Sequence, residues 1–168
     1  CSSDSQTVVA ILEGAVLGGG FGLACVSDIA ISHDNAQFGL PETGLGVLPA
    51  QIAPFVVKRI GLTQARRLAL LGSRFNGETA QKLGVIHEVV RDDVELEQLL
   101  ADTIQQIKRA APLASRNTKA LLHRTLNEPL DSLLDAAAQQ FAQAVGGLEG
   151  QEGTMAFIQK RLPNWTEQ

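Results

Sequence analysis

Gly18-Gly19-Gly20-Phe21-Gly22-Leu23-Ala24 is the stretch on which the reading of this chain turns. The apolar run Thr7 to Leu12 precedes it as a buried strand, and Phe21 to Ser27 reads as a short buried helix. Three consecutive glycines therefore stand near the entry to a helix, in a loop running from Gly14 to Gly20. Backbone N–H groups at the positive end of a helix can hold a developing oxyanion, and glycine lets the reacting group come close. Twenty positions beyond Gly22, the run Gln37-Phe38-Gly39-Leu40-Pro41-Glu42 sets one carboxylate, Glu42, in a loop otherwise made of Leu, Gly, Val and Phe. A carboxylate there is placed for moving a proton. Together the two features describe a site that stabilises an enolate. The residues alone also allow a tight turn at the glycines and an exposed loop glutamate at 42.

Working outward, Asp28 to Ser32 and Ala36 to Gly39 read as short strands around an Asp34-Asn35 turn, and Leu40 to Pro49 as a glycine- and proline-punctuated loop. Helices are expected over Gln51 to Ile60 and Thr63 to Leu71, separated by Gly61, with Thr63 as N-cap and Gly72 as stop. A short helix from Gly77 to Leu83, capped by Asn76, leads into a strand over Val85 to Val90. Beyond that, Leu96, Leu99, Leu100, Ile104, Ile107 and Ala111 recur at helical spacing, as do Leu130, Leu133, Leu134, Ala137, Phe141 and Val145. Pro112 and Pro129 divide the helical stretch, Gly146-Gly147 and Gly150 to Gly153 loosen it, and a last helix is expected over Thr154 to Arg161. The fold class is α/β, with residues 1–92 as a mixed core and 93–168 as a helical assembly region.

The chain has 168 residues, 45% of them hydrophobic, and a net charge of −4. That suits one compact domain, and without a basic block it argues against nucleic acid or an anionic membrane as partner. The two cysteines, Cys1 and Cys25, suggest neither a disulfide framework nor a zinc site, which fits a reducing, cytoplasmic setting. The strand that begins at Thr7 has no earlier strand to pair with, so more sequence, or another polypeptide, is expected at its edge.

Other motifs read blandly. The glycines lack the following Lys-Ser/Thr of a phosphate-binding loop and the spacing of a dinucleotide fingerprint, so no nucleotide cofactor is expected. His33-Asp34 reads as a solvated turn and His123 as surface, while His87-Glu88 lacks the second histidine of a zinc helix. Asn164-Trp165-Thr166 matches a glycosylation acceptor, yet no signal peptide opens the chain. Lys160 and Arg161 complement the dipole of the last helix, with pairing to a ligand phosphate as their functional alternative.

Five pieces together resemble the enoyl-CoA hydratase/isomerase, or crotonase, family: Ala15 to Gly20, Cys25 to Ile29, Ala36 to Glu42, Gly44 to Gly46 and Phe157 to Arg161. The resemblance runs from about Thr7 to Trp165 and covers roughly the later two-thirds of a usual member. It implies a spiral of ββα turns followed by helices that assemble homotrimers or hexamers. It also implies an acyl-CoA thioester substrate and no metal or redox cofactor, coenzyme A being part of the substrate. By the same resemblance Gly19 supplies one of two oxyanion-hole N–H groups, and the other precedes the present sequence. Losing one such donor costs about 3–4 kcal/mol, so the chain alone is expected to be inactive. Leu17, Gly18, Phe157 and Lys160 would contact the substrate and its CoA. Family hydratases commonly carry two glutamates; here Gly22 takes the first position and Glu42 the second. The segment Leu48 to Gly61 resembles branched glutaconyl-CoA hydratases of leucine and acyclic terpene breakdown, of the isohexenylglutaconyl-CoA type first and the 3-methylglutaconyl-CoA type next.

Overall fold

The computed structural model describes residues 6–167; Cys1 lies outside them. The chain divides into two compact units, residues 8–100 and a helical unit of 101–167 joined by Gln6 and Thr7.

In the first unit the elements are β1 (Val9–Leu12), β2 (Ala15–Leu17), α1 (Gly19–Val26), β3 (Ile29–His33), β4 (Gln37–Gly39), α2 (Ala53–Leu71), β5 (Arg74–Phe75), α3 (Gly77–Lys82) and β6 (Glu88–Val90). Then α4 (Asp93–Arg109) begins. Two three-stranded sheets form. One is parallel, in the order β1-β3-β6; the other pairs β2 with β4 in parallel and β4 with β5 antiparallel. Helical crossovers suit this topology, because parallel strands need a connection that returns to the starting edge.

Apolar residues fill the space between these elements. Phe21 and Phe38 are fully buried, and with Phe75 they form an aromatic cluster at centroid distances of 5.9 to 6.4 Å. Burying a phenylalanine contributes about 1.5–3 kcal/mol, so this cluster holds α1 onto the second sheet. A smaller core of Ile31, Val90 and Leu96 packs the start of α4 against the first sheet.

The expected break at Gly61 is present: its φ of 76° and ψ of 159° interrupt α2. Two helical halves therefore meet at Gly61, as expected, and Gly72 ends the second in the left-handed conformation. Asn76 does cap α3, its Oδ1 accepting from Thr79 N at 3.1 Å. Two strands are additions to the sequence reading, β2 inside the expected loop and β5. The last strand is shorter than expected: Val85 N donates to Ala80 O and His87 N to Ala30 O before ladder pairing starts at Glu88.

The helical unit continues with α5 (Pro112–Arg124), α6 (Leu130–Gly146) and α7 (Leu148–Gln159). Pro112 and Pro129 stand at the starts of α5 and α6, as expected. The last helix, however, begins six residues before Thr154, and its glycines serve close packing. A Cβ at Gly150 would collide with the Ala144 carbonyl, and one at Gly153 would stand 3.0 Å from Trp165 Cη2. Trp165 Nε1 in turn donates to Arg109 O at 3.1 Å. Both Glu149 oxygens accept N–H bonds from Leu113 and Ala114, capping α5.

Candidate active site

The glycine bend is built by one backbone conformation. Gly18 follows β2 with φ 51° and ψ −114°, a combination that side chains disfavour. Its N–H donates to Gly39 O at 3.3 Å and its carbonyl accepts from Gly22 N at 3.0 Å, so β4 and α1 are both tied to it. Gly19, the first residue of α1, is exposed. An N–H at that position has no carbonyl partner within the helix. Leu17 ends β2 opposite Gly39.

Glu42 opens a 3-10 turn, Glu42–Leu45, directly after Pro41. Four hydrogen bonds fix this loop: Gly44 N to Pro41 O, Gly46 N to Thr43 O, Val47 N to Glu42 O, and Thr43 Oγ1 to Ala69 O at 2.7 Å. The carboxylate lies against the bend, with Oε1 3.2 Å from where a Cβ on Gly18 would stand. Its Oε2 is buried and has no hydrogen-bond partner among the described residues. A buried carboxylate oxygen left unpaired is costly and calls for a partner from outside the described residues. The two features that the sequence brought to attention are thus neighbours in space.

Gly22 faces Ile52. A Cβ there would come 2.5 Å from Ile52 Cγ2 and 3.1 Å from Ile52 Cβ. The place where a first acid would begin is therefore filled by an aliphatic side chain. Beside the Glu42 loop an apolar pocket of about 320 Å³ opens, lined by Leu40 and Pro49 and by Val56, Leu62, Ala65 and Leu70 of α2.

Behind α1 a second group of side chains has shifted proton affinities. Burial pushes the Cys25 thiol up to about 11, against the opposing effect of Arg59. Arg59 is itself lowered by burial; its Nε donates to Val85 O and its Nη1 to Ser27 O. His87 Nδ1 accepts from Ala30 N at 2.9 Å, which keeps that nitrogen unprotonated, and burial together with Arg59 lowers the imidazole. These groups join α2 to the end of α1 and the start of β3.

Phe157 and Lys160 belong to the helical unit, where both side chains are exposed. Lys160 ends α7 in the left-handed conformation, φ 54°. The Arg161 guanidinium pairs with Glu152 through bonds of 2.6 and 2.9 Å. The expected solvated turn at His33 is also corrected. That side chain is 12% exposed, and its Nε2 approaches the carboxylates of Glu13 and Asp93.

Residues 2–168 match the family model described as enoyl-CoA hydratase/isomerase. The chain belongs to this family. Among solved structures, Pseudomonas aeruginosa AtuE is 62% identical with a TM-score of 0.95, over 96% of this chain and 63% of that one. An enoyl-CoA hydratase/isomerase from Marinobacter aquaeolei is 59% identical with a TM-score of 0.94, over 96% and 61%. The mevalonyl-coenzyme A hydratase sidH of Aspergillus fumigatus is 33% identical over 96% of this chain and 60% of its own length. The chain thus spans between about half and two-thirds of the length of the relatives it matches. As an enoyl-CoA hydratase/isomerase family member it has the α/β crotonase fold with C-terminal helices. No helix among the described residues is long and apolar enough to cross a membrane.

The sequence did not reveal Ile52. Its contact with Gly22 bridges thirty residues, and an isolated isoleucine in an apolar segment carries no signal of it.

Proposed function

We propose that this chain carries the proton-transferring carboxylate and one oxyanion donor of a hydro-lyase that adds water to the conjugated double bond of an enoyl-CoA thioester. The observation that carries this reading is the Glu42 carboxylate set against the glycine bend with its Oε2 buried and unpaired. Glu42 takes a proton from water as the water oxygen bonds to C3. The π electrons move onto the thioester oxygen, where the Gly19 N–H stabilises the enolate. Collapse of the enolate then draws a proton from Glu42 to C2, so the carboxylate ends as it began. No further cofactor enters this chemistry.

The substrate is proposed to be branched and carboxylated, of the isohexenylglutaconyl-CoA or 3-methylglutaconyl-CoA type. The Leu48 to Gly61 segment supports this, and the pocket beside the Glu42 loop offers apolar volume for a branched tail. Among curated relatives a 2,3-dehydroadipyl-CoA hydratase of Escherichia coli is 30% identical. Leu17 and Gly18 would line the acyl site, and Phe157 and Lys160 the CoA. The helical unit leaves Leu134, Phe141, Leu148 and Phe157 exposed, which supports assembly with other copies, proposed here as a homotrimer or hexamer; a cytoplasmic setting is proposed separately.

Ile52 on Gly22 favours a second reading, an enoyl-CoA isomerase, because a lone carboxylate can carry a proton between C2 and C4. Turnover of an acyl-CoA panel in ¹⁸O-water separates the two: the hydratase incorporates label and the isomerase does not. Glu42→Gln should lower kcat at least a hundredfold with the fold intact. Undiminished turnover of that variant excludes Glu42 from the reaction, and a wild-type protein that turns over no enoyl-CoA would mark an assembly fragment.

A further inference from the structure

The carboxyl edge of the parallel sheet brings together three side chains that the proposed reaction does not use. Glu13 follows β1, His33 ends β3, and Asp93 opens α4 three residues past the end of β6. His33 Nε2 lies 3.3 Å from Asp93 Oδ1 and 3.7 Å from Glu13 Oε1, and one donor atom from each residue falls within 4.8 Å of the others. The imidazole is enclosed, whereas the Glu13 and Asp93 side chains are 61% and 89% exposed. Neither carboxylate has another hydrogen bond or ion pair among the described residues. Two acids at the start of α4 are otherwise engaged: Asp92 Oδ1 accepts from Glu95 N, and Glu95 Oε2 from Arg91 N.

We propose that Glu13, His33 and Asp93 bind one divalent transition-metal ion of the Zn²⁺ class. One imidazole nitrogen with two carboxylate oxygens is a donor set for such ions, while Ca²⁺ and Mg²⁺ prefer oxygen alone. With metal–ligand distances near 2.0–2.2 Å, tetrahedral donors stand about 3.3–3.5 Å apart. Both His33 pairs are close to that spacing already. The remaining pair has to close by no more than about 1.5 Å, and its side chains reach in from solvent. Charge points the same way: two carboxylates converge on one imidazole, and even a protonated ring balances only one of them. A bound ion would staple the edge of the β1-β3-β6 sheet to the start of α4. Its role is structural, and it stands apart from Glu42.

The test is titration of metal-free protein with ZnCl₂ by calorimetry and with CoCl₂ by visible absorption, alongside His33→Ala and Asp93→Asn. Wild type should bind one equivalent of Zn²⁺, show d–d bands with Co²⁺ and melt at a higher temperature with metal than without. Both variants should lose at least tenfold in affinity and show no metal-dependent rise in midpoint. If His33→Ala fails to fold, the exposed Asp93→Asn decides alone. The proposal is overturned if wild type takes up no Zn²⁺, leaving a plain ion pair, or if Asp93→Asn binds it as wild type does, placing the ion elsewhere.

Discussion

Gly22→Ala tests whether the site is held to a single carboxylate by packing. Gly22 lies in the middle of α1, so alanine there should gain about 1 kcal/mol from helix propensity. Against that, the new methyl would stand 2.5 Å from Ile52 Cγ2 and 3.1 Å from Ile52 Cβ. Turning the Ile52 side chain to another rotamer relieves the first contact and leaves the second, because Cβ moves only with the backbone. That backbone is held, the Ile52 carbonyl accepting from Phe55 N and Val56 N. Overpacking of this kind costs about 1–3 kcal/mol.

The net effect in wild type is therefore a loss of up to about 2 kcal/mol. In an Ile52→Gly background both of those atoms are gone, and the same Gly22→Ala change should stabilise by about 1 kcal/mol. The two increments differ by about 1–3 kcal/mol, or very roughly 2–12 °C in midpoint at this chain length. Thermal and urea unfolding of the four proteins in the cycle give both numbers. Equal increments in the two backgrounds would refute the packing account, and the absence of an acid at position 22 would then need another explanation.

Three further outcomes follow from the geometry. Gly18→Ala should cost about 1–3 kcal/mol from its backbone conformation alone, and its methyl would press on Glu42 Oε1, so kcat should fall with stability; a variant melting like wild type would contradict this. Glu152 is held down to about 2 by the Arg161 hydrogen bond first and the Asn164 N–H second. A depressed carboxylate stabilises fully above its unfolded value and loses that contribution as pH falls through the folded one, so Arg161→Leu should flatten the decline in stability between about pH 4.5 and pH 2. His87 is lowered from 6.5 by burial first; the folded protein resists its protonation, so stability should drop as pH falls below about 6.5, and His87→Gln should remove part of that slope in urea midpoints.

Much of this arrangement was legible because it is local. The Gly61 interruption, the Asn76 cap and the proline-led starts of α5 and α6 each depend on one residue's backbone chemistry, which the sequence states directly. The strands β2 and β5 were not legible, since three and two residues cannot display a period. The glycines of α7 were misread for a related reason. Gly150 and Gly153 look like breakers along the chain, yet what they provide is room for Ala144 and for the Trp165 ring, and neither partner can be identified from spacing. His33 likewise looked solvated because Glu13 and Asp93 stand twenty and sixty residues away.

Gly18 and Gly22 do different work, and in the proposed reaction this accounts for a single acid. Gly18 is required by its dihedral angles and by the carboxylate lying against it, so it fixes where Glu42 can be. Gly22 is required by Ile52, so it fixes what cannot stand on the opposite side. Between them the N-terminus of α1 meets one carboxylate, held by a loop that Thr43 ties to α2. Hydration needs a proton taken from water and a proton given to C2, and one carboxylate on a fixed loop does both in sequence if the enolate survives the interval. In the proposed reaction that demand falls on the amides at the start of α1, which would make the oxyanion donor, more than a second acid, the group on which hydration depends.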